Sequence, residues 1–477
     1  MTIAAIATAQ GGAIGIIRVS GPQAIEFTNN LFSKDILEAP GYSLHYGRIY
    51  ASTESTTTAD EGITAAHDEE TKVAVSAQTP ISDDRTLVDD VIVSVFRAPH
   101  SYTGEDSVEI SCHGSQYILQ QVMQGLMRQG ARQALPGQFT QRAFLNGKLD
   151  LSQAEAVADL IASSNAASHR VAMNQMRGAI SNKLQNLRNQ LLHITSLLEL
   201  ELDFSEEDVE FADRQQLLVL SQTTKEEIDR LSSSFTSGNA IKNGIAVAII
   251  GAPNVGKSTL LNCLLDDDRA IVSDIQGTTR DLIEDTVTLG GHLFRFIDTA
   301  GIRSTDDTIE RLGIERSIKA AQKAQIILLL TEQDTPYPTI QTTDDQFVIY
   351  VKNKIDKDPD SVPVSTRDYP ASHLTISALR GLGIDALRQS LIDHSRIICG
   401  NDNSDQVLIT NLRHKEALDL ASGDMLRAID SIQMGISGDL IAEDLRLCLS
   451  HLSEILGSQI TTDEVLGNIF KNFCIGK

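Results

Sequence analysis

The sequence predicts an α/β domain that is inserted into an α-helical domain, with an α+β domain preceding both. From Ile245 to about Ile398, short apolar segments alternate with helical ones, which is typical of a parallel sheet with crossover helices. Helical periodicity precedes this region and returns after it. The first 150 residues mix strand-like runs with turns. The length of 477 residues agrees with about three domains at roughly 150 residues each.

The composition is that of a globular, acidic chain. Apolar residues make up 41%, and 40 Lys and Arg stand against 64 Asp and Glu, so the formal net charge is −24. Such a surface argues against sequence-blind binding of nucleic acid, which needs a positive field. Aromatic residues are only 4% and Trp is absent, so base-stacking platforms are not obvious. The net charge does not decide whether a local basic groove binds nucleic acid.

Cysteine usage and hydropathy indicate a cytoplasmic protein. The five cysteines are odd in number, widely spaced and without a Cys-x-x-Cys motif, so neither a disulfide framework nor a thiolate zinc site is predicted. No apolar run approaches the roughly 20 residues of a membrane span. The apolar start, Met1 to Val19, lacks a basic region and is interrupted by glycines, which predicts a first strand and a glycine turn.

Residues 1–150 are predicted as one N-terminal domain. Strand-like runs lie at Ile14–Val19, Val88–Phe96 and Ser107–Ser111. Between the first two lies Ser52–Asp84, which is rich in Ser, Thr, Asp and Glu and has little that could form a core. We interpret it as a solvated surface insertion.

Two segments, 151–243 and 401–477, are predicted as the first and second parts of one helical domain around the inserted residues 244–400. Ser152-x-x-Glu155 has the pattern of a capping box, and Thr461-x-x-Glu464 predicts a cap for a final helix. One bundle built from both segments buries more apolar surface than two separate ones. Leucines and an isoleucine at helical spacing mark its inner faces: Leu184, Leu187, Leu191, Ile194 and Leu198 in the first segment, and Leu445, Leu449, Leu452 and Leu456 in the second.

A phosphate-binding loop is predicted at Gly251-Ala-Pro-Asn-Val-Gly256-Lys257-Ser258, which fits G-x-x-x-x-G-K-S. It follows the predicted strand Ile245–Ile250 and precedes the apolar helix Thr259–Leu265, the context that the motif requires. Backbone N–H groups and the helix N-terminus would surround the phosphates. Lys257 should contact the β- and γ-phosphates, and the Ser258 hydroxyl should reach Mg²⁺.

Further motifs at the ends of predicted strands indicate a guanine-nucleotide hydrolase. Asp298-Thr-Ala-Gly301 follows the strand Leu293–Ile297, where it can sense Mg²⁺ and the γ-phosphate. Asn353-Lys354-x-Asp356 follows the strand Phe347–Val351, and Ser377-Ala378-Leu379 suits the loop behind the base. A carboxylate at Asp356 matches the two donors of guanine, N1–H and the 2-amino group, which adenine does not present in that pattern.

Two positions depart from small signalling GTPases. Ile302 stands where those proteins have a water-orienting Gln, so another polar group must do that work. Asn254 lies inside the phosphate loop, and its side-chain oxygen together with loop carbonyls could hold a monovalent cation that supplies positive charge. Thr279, in the loop Ser273–Thr279, is the natural second hydroxyl for Mg²⁺. Asn254 as an ordinary turn residue is the alternative.

Over nearly its whole length the chain resembles the MnmE (TrmE) family of tRNA modification GTPases, within the TrmE-Era-EngA-like GTPases. The terminal Phe473-Cys474-Ile475-Gly476-Lys477 is highly specific for that family. The other motifs that carry the resemblance are Thr2–Thr8, Gly15–Gly21, Tyr102–Asp106, Val108–Ile110, His113-Gly114, Pro136–Thr140 and Arg142–Ala156.

The resemblance implies a fold and a function. The fold is a P-loop GTPase domain inserted into a helical domain, behind a tetrahydrofolate-binding-like N-terminal domain that also forms a homodimer. Family members pair with two copies of an FAD-binding partner, MnmG (GidA), as a heterotetramer that acts on tRNA. Together they install an aminomethyl or carboxymethylaminomethyl group at C5 of the wobble uridine in certain tRNAs, the latter giving 5-carboxymethylaminomethyluridine. The one-carbon unit comes from (6S)-5-formyl- or 5,10-methylene-tetrahydrofolate, and hydrolysis of GTP depends on Mg²⁺ and on K⁺-driven pairing of GTPase domains.

The resemblance also implies roles for residues of this chain. Glu310 would activate water, and Arg18, Glu109, Lys148 and Lys477 would bind folate, with Cys474 near the one-carbon chemistry. The K⁺ ligands would be Asn254, Ser273, Ile275 and Thr278, and the Mg²⁺ ligands Ser258 and Thr279. The GTP site would comprise Asn254, Val255, Gly256, Lys257, Ser258, Thr259, Ser273, Asp274, Ile275, Gln276, Gly277, Thr278, Thr279, Asp298, Thr299, Ala300, Gly301, Asn353, Lys354, Asp356, Ser377, Ala378 and Leu379.

Other interpretations stay open at the level of sequence. Glu310 could be a solvated residue in the first turn of a helix, and Arg18 and Lys148 could be ordinary surface cations. Lys477 could be a frayed end, and Cys474 a small buried residue. The whole chain could instead be a ribosome-assembly or other switch GTPase, or a folate-dependent methyltransfer enzyme with a regulatory GTPase domain.

Overall fold

The structure, a computed structural model, describes residues 1–9, 11–51, 86–203, 214–265, 285–297, 319–332, 335–357, 373–400, 406–457 and 476. The chain divides into two compact units, which we treat separately: Met1–Ala154 with Ile460–Lys477, and Glu155–Gln459. The domain boundaries given above stay a prediction, and the polar insertion Ser52–Asp84 lies outside the described residues. Within the described part, no helix has both the length and the apolar character needed to cross a bilayer.

The N-terminal unit is built on a mixed sheet, six-stranded in the described residues, in the order β3-β4-β5-β2-β1-β6. Neighbouring strands pair antiparallel, apart from the parallel pair β1–β6. The strands are β1 (Ile3–Ile6), β2 (Ile14–Ser20), β3 (Ser43–Tyr50), β4 (Leu87–Phe96), β5 (Ser107–His113) and β6 (Arg132–Gln133). The helices are α1 (Ala24–Asn29), α2 (Gln116–Arg128) and α3 (Gln138–Leu145), followed by α4 (Leu151–Ala162), which continues into the second unit.

One face of this sheet forms the core of the unit. Val91, Val93 and Val95 of β4 are buried, and they alternate with more exposed neighbours as the period of a strand requires. They join the apolar side of α2, including Leu119 and Leu126, in one cluster. The predicted strands are therefore confirmed, and the apolar start of the chain forms β1 as expected.

Both helical segments contribute to one core, as predicted. Its helices are α5 (Ala166–Met176), α6 (Ala179–Asp203), α7 (Arg214–Ser233), α8 (Phe235–Asn243), α11 (Leu412–Gln433) and α12 (Gly438–Leu456). The leucine stripe from Leu184 to Leu198 on α6 packs in the same buried cluster as Leu418 of α11 and Leu445 and Leu452 of α12. The hydrophobic drive to bury two amphipathic faces together joins segments that are more than 200 residues apart.

The predicted capping box at Ser152-x-x-Glu155 is wrong by two residues. Helix α4 begins at Leu151, so Ser152 already lies inside it. The reciprocal pair is Asp150 with Gln153: the backbone N–H of Gln153 donates to Asp150 Oδ1 at 2.9 Å, and that of Asp150 donates to Gln153 Oε1 at 3.0 Å. Asp caps a helix as well as Ser does, and two overlapping box patterns cannot be ranked by spacing alone.

The inserted region forms a second sheet, again six-stranded where the structure describes it, in the order β12-β11-β10-β7-β9-β8. All neighbours are parallel except β8, which pairs antiparallel with β9. Strands β7 and β10 are apolar and buried along almost their whole length, as strands covered on both faces must be. The elements are β7 (Ile245–Gly251), α9 (Lys257–Leu265), β8 (Asp285–Leu289), β9 (His292–Phe296), β10 (Ile326–Thr331), β11 (Phe347–Lys352), β12 (His373–Thr375) and α10 (Ile384–Cys399).

A nearly buried carboxylate ties the two halves of the helical region together. Glu155 of α4 contacts Arg413 and His414 of α11: its Oε1 accepts from Arg413 Nε at 3.0 Å, and its Oε2 lies 2.8 Å from His414 Nε2. Arg413 also donates to the carbonyls of Glu454 and Ile455 at the end of α12. Burial opposes ionisation, but the hydrogen bonds and charges of His414 and Arg413 outweigh it and lower the pKa of Glu155 to about 2.

Glu155→Gln should therefore destabilise the helical region at neutral pH. A pKa lowered from 4.5 to about 2 gives stability that is present above pH 4.5 and is lost as pH falls toward 2. We expect a loss of about 3 kcal/mol at pH 7 that shrinks below pH 4.5. Urea unfolding at several pH values measures it. Asp393→Asn, which breaks an exposed pair with Arg396, is the control and should cost less than about 1 kcal/mol at any pH. A pH-independent difference for Glu155→Gln would contradict the assignment.

Candidate functional site

The segment between β7 and α9 curls as a phosphate-binding loop must. Asn254 has φ of 59° and Gly256 has φ of 101°, so left-handed residues turn the backbone at two points before the helix begins at Lys257. Such a turn directs successive N–H groups into one concavity at the N-terminus of α9. The Lys257 ammonium folds back on the loop and donates to the carbonyls of Gly251 and Ala252 at 2.8 and 2.9 Å. Burial lowers the pKa of Lys257.

Asn353 joins the phosphate loop to the loop after β12. Its Nδ2 donates to the carbonyl of Val255 at 2.8 Å, and its Oδ1 accepts from the backbone N–H of Ala378 at 3.0 Å. A Cβ at position 256 would lie 2.3 Å from that same Nδ2, so a glycine is required there by space as well as by φ. The side chain of Asn353 is buried and has both ends satisfied, which makes it a rigid link.

Lys354 forms a second link to the phosphate loop. Its Nζ donates to the carbonyl of Asn254 at 2.6 Å and to Glu332 Oε2 at 2.7 Å. Glu332 follows β10 directly and was not among the predicted site residues. Its position after a strand could have predicted it. Because β10 and β11 are parallel neighbours, the residues that follow them meet at the same edge of the sheet.

Asp356 lies at this edge in a short 3-10 turn, Ile355–Lys357. Its Oδ1 accepts a hydrogen bond from the buried Ser377 hydroxyl at 2.5 Å. That hydrogen bond is the main reason why the pKa of Asp356 is lowered, and the nearby charges of Arg380 and Lys357 add to it. The carboxylate is therefore ionised at neutral pH. Ala378 is buried behind it, whereas the Leu379 side chain is 78% exposed.

The structure thus brings together the predicted residues from the phosphate loop, the Asn353 motif and the Ser377 loop. Ser258 and Thr259 stand in the first turn of α9. The remaining predicted residues of the nucleotide, metal and catalytic sets lie outside the described residues, and their roles stay predictions. These are Ser273, Asp274, Ile275, Gln276, Gly277, Thr278, Thr279, Asp298, Thr299, Ala300, Gly301 and Glu310.

A second group of predicted residues meets on the N-terminal sheet. Arg18 of β2 and Glu109 of β5 are direct cross-strand partners. Both Nε and Nη2 of Arg18 donate to Oε1 of Glu109, at 2.9 and 2.7 Å. Nη1 donates to the backbone carbonyl of Gly476 at 3.0 Å. Arg18, Glu109 and Gly476 are far apart in the sequence, and the fold brings both Glu109 and Gly476 within hydrogen-bonding distance of Arg18.

Two aromatic rings flank the Arg18 guanidinium. Its Cζ lies 5.6 Å from the Tyr102 ring centre and 5.8 Å from that of Phe139. The Tyr102 hydroxyl is 2.8 Å from Thr140 Oγ1, and burial raises the pKa of Tyr102. Both rings lie in motifs that carry the resemblance, Tyr102 in a loop and Phe139 in the first turn of α3. No role was predicted for them, because the sequence pattern does not show that either ring faces Arg18.

Lys148 is exposed and its contact differs from those of the Arg18 pair. Its Nζ donates to the carbonyl of Pro99 at 3.0 Å. Cys474 and Lys477, the other two residues predicted for this site, lie outside the described residues.

Comparisons with known proteins cover the whole chain. The family model described as GTP-binding protein TrmE N-terminus matches residues 2–148, and the one described as MnmE helical domain matches residues 151–474. The chain is 50% identical over 495 residues to the tRNA modification GTPase MnmE of Phocaeicola vulgatus, covering 100% of this chain and 99% of that protein. It is also 50% identical over 494 residues to that of Parabacteroides distasonis, with 100% of both covered.

A more distant relative also matches over nearly its whole length. Identity to the tRNA modification GTPase MnmE of Cytophaga hutchinsonii is 45% over 490 residues, covering 100% of this chain and 98% of the relative. Within this chain, Asn353 joins the phosphate loop to the loop after β12, and Ser377 of that loop holds the Asp356 carboxylate. The chain belongs to the MnmE family of tRNA modification GTPases.

Proposed function

We propose that this GTPase takes part in forming 5-carboxymethylaminomethyluridine at the wobble position of tRNA, together with an FAD-dependent MnmG (GidA) partner. A tetrahydrofolate supplies the one-carbon unit. Family membership supports the pathway, and on the same ground we propose a cytoplasmic location. The observation that carries the nucleotide part is the joining of the phosphate loop, Asn353 and Asp356 at one edge of a parallel sheet.

Guanine recognition would rest on the Asp356 carboxylate. Its two oxygens accept from N1–H and the 2-amino group, while Ser377 holds Oδ1 and orients the group. Asn353 fixes the distance between this carboxylate loop and the phosphate loop, so that one rigid nucleotide spans both. The exposed Leu379 side chain beside the base would add apolar contact.

Phosphate binding would use Lys257 and the curled loop. In the structure the Lys257 ammonium donates to two backbone carbonyls. In the proposed complex these hydrogen bonds would be replaced by contacts with the phosphate oxygens, whose charge Lys257 would neutralise. Ser258 and Thr259 follow in the same helical turn. We propose Ser258 with Thr279 as Mg²⁺ ligands, and a hard cation suits hydroxyl and phosphate oxygens. The ion would balance charge on the β- and γ-phosphates.

In hydrolysis Glu310 would activate the water, and K⁺ would supply positive charge at the phosphates. In the phosphate loop we propose the side-chain oxygen of Asn254 as the K⁺ ligand, while the backbone carbonyl of Asn254 accepts from Lys354. Ser273, Ile275 and Thr278 would complete the ligands when two GTPase domains pair. Potassium would supply the positive charge that an arginine supplies in other GTPases.

Folate binding is proposed for the N-terminal sheet. Both bonds from Arg18 end on Oε1 of Glu109, which leaves Oε2 to accept from the donors of a pterin ring. The rings of Tyr102 and Phe139 border this pair and offer flat apolar surface to a second ring. Lys148 and Lys477 would neutralise the glutamyl tail, and Cys474 would lie near the one-carbon chemistry.

Dimerisation through the N-terminal unit is supported by an exposed apolar face at the edge of its sheet. Leu44 and Tyr46 of the edge strand β3 are 72% and 62% exposed, and Ile92, the partner of Tyr46 across β4, is 45% exposed. A contiguous apolar patch on a sheet edge favours association. We propose a homodimer that binds two copies of MnmG.

Asp356→Asn should change the preferred nucleotide from GTP to xanthosine triphosphate. An amide presents one acceptor and one donor, so it mismatches the 2-amino group of guanine and matches the 2-oxo group of xanthine. We expect GTP affinity to fall on the order of 100-fold or more and xanthosine triphosphate affinity to rise. Equilibrium titration of both nucleotides measures this.

The matched control is Asp385→Asn, at a carboxylate that is 98% exposed on the first turn of α10. It should leave both affinities unchanged. If Asp356→Asn kept its preference for GTP, Asp356 would not be the residue that recognises the base.

Hydrolysis should be slow in NaCl and faster in KCl, because the larger ion spans the Asn254 oxygen, the loop carbonyls and the phosphates. Asn254→Ala should abolish the stimulation and still bind GTP, since the contacts of Lys257 and the backbone remain. Turnover of both proteins in the two salts is the measurement. Equal wild-type rates in KCl and NaCl would reject the cation mechanism.

A bacterium that lacks its own family member should lose the carboxymethylaminomethyl group from wobble uridines and regain it when this chain is expressed. Mass spectrometry of tRNA nucleosides measures the change. Asp356→Asn is the matched variant and should fail to restore it. Unchanged nucleosides in the deletion strain would favour a ribosome-assembly or other switch GTPase instead.

A further inference from the structure

A carboxylate outside the nucleotide motifs, Glu332, lies against the lysine that follows Asn353. Its Oε2 accepts from Lys354 Nζ at 2.7 Å, and the same ammonium donates to the backbone carbonyl of Asn254 at 2.6 Å. We propose that Glu332 is a positioning residue for the guanine nucleotide: it holds the Lys354 side chain on the phosphate loop and so slows release of the nucleotide. The inference deepens the proposed function, and it rests on the nucleotide site proposed between the phosphate loop and Asp356.

The position of Glu332 is fixed by two neighbouring parallel strands. β10 ends at Thr331, and the backbone N–H of Asn353, which follows β11, donates to the Thr331 carbonyl at 2.8 Å. The buried Thr331 hydroxyl donates to the carbonyl of Thr335 at 2.7 Å, which ties the chain before Glu332 to the chain after it. Glu332 and Lys354 therefore leave adjacent strand ends side by side.

The two residues that this contact joins both have left-handed backbone angles. Lys354 has φ of 65° and Asn254 has φ of 59°, and among the described residues only Tyr42 shares that region without being glycine. The conformation is sterically unfavourable for a residue with a side chain, and it persists only where surrounding contacts hold it. The hydrogen bond from Lys354 connects the two turns, and Glu332 is the second acceptor that keeps the ammonium there.

Charge explains what Glu332 adds to the contact. An ammonium has three N–H donors, of which one meets the Asn254 carbonyl and one meets Glu332. Without the carboxylate, Lys354 would be a flexible cation free to turn toward phosphate oxygens. The hydrogen bond from Lys354 lowers the pKa of Glu332, so the carboxylate is ionised at neutral pH. Glu332 thus neutralises Lys354 and leaves the phosphate charge to Lys257 and the proposed Mg²⁺.

Held in this way, Lys354 spans the distance between base recognition and phosphate binding. Its backbone lies two residues before Asp356, while its ammonium reaches Asn254 in the phosphate loop. The four-carbon stem would therefore form one wall of the proposed site, along the nucleoside part that GTP and GDP share. Loss of Glu332 should weaken both nucleotides equally. A lysine that neutralised the γ-phosphate would instead favour GTP.

Nucleotide release from the full chain tests the role of Glu332. From Glu332→Ala we expect methylanthraniloyl-GDP to dissociate about 3- to 10-fold faster than from the wild type, with GDP and GTP affinities reduced by the same factor. Stopped-flow chase and equilibrium titration measure these quantities. In KCl, kcat should stay within about two-fold of the wild type while KM rises, because the lost contact is the same in ground and transition states. Glu332→Gln keeps an acceptor at the same length and should fall between the two.

A double-mutant cycle tests whether Glu332 acts through Lys354. Lys354→Met keeps an unbranched stem and removes the ammonium. In that background, Glu332→Ala should change the release rate by less than about two-fold. Asp345→Ala is the matched control: this exposed carboxylate precedes β11, at the opposite end of the strand from Lys354, and the variant should release nucleotide at the wild-type rate. Circular dichroism and thermal melting confirm that each variant is folded.

Wild-type release and affinity in Glu332→Ala would overturn the proposal, and so would an equally large effect in the Lys354→Met background. A greater loss for GTP than for GDP would also overturn it, because Lys354 would then act on the γ-phosphate. The proposed nucleotide site is judged separately: an unchanged preference for GTP in Asp356→Asn rejects that site. Unchanged release from Glu332→Ala, in a chain whose Asp356→Asn variant prefers xanthosine triphosphate, rejects only the role of Glu332.

Discussion

The proposed nucleotide site depends on one buried amide, the side chain of Asn353. It donates to the phosphate loop at Val255 and accepts from the loop after β12 at Ala378, so it sets the spacing of these two loops. Leaving either end unpaired in a buried place would cost about 1–3 kcal/mol. The absence of a side chain at Gly256 is part of the same contact, because a Cβ there would collide with Asn353 Nδ2.

The parallel sheet explains why these loops meet at all. Strands β7, β10, β11 and β12 are adjacent and parallel, so the residues that follow them emerge at one edge. Asn254, Glu332 and Lys354 come from three such ends and form one chain of contacts. The apolar strands are buried on both faces, which makes that edge a rigid base for polar groups.

The N-terminal unit uses a different device, a cross-strand ion pair. A partly exposed pair such as Arg18–Glu109 adds little stability by itself. Its importance lies in geometry: register places the two side chains opposite each other, and the remaining nitrogen of Arg18 reaches the Gly476 carbonyl. Arg18, which its pairing with Glu109 holds in place, thereby connects the sheet to Gly476 within the same unit.

The sequence by itself determined the elements and the nucleotide motifs, since periodicity and short motifs depend on neighbouring residues. The buried stripe from Leu184 to Leu198 and the strand–loop–helix around Lys257 are local patterns of this kind. Only the tertiary structure decided which capping box forms, that Glu332 holds Lys354, and that Arg18 meets Glu109 and Gly476. These contacts join residues through sheet register and loop position, and short-range spacing carries no information about which distant partner a side chain will face.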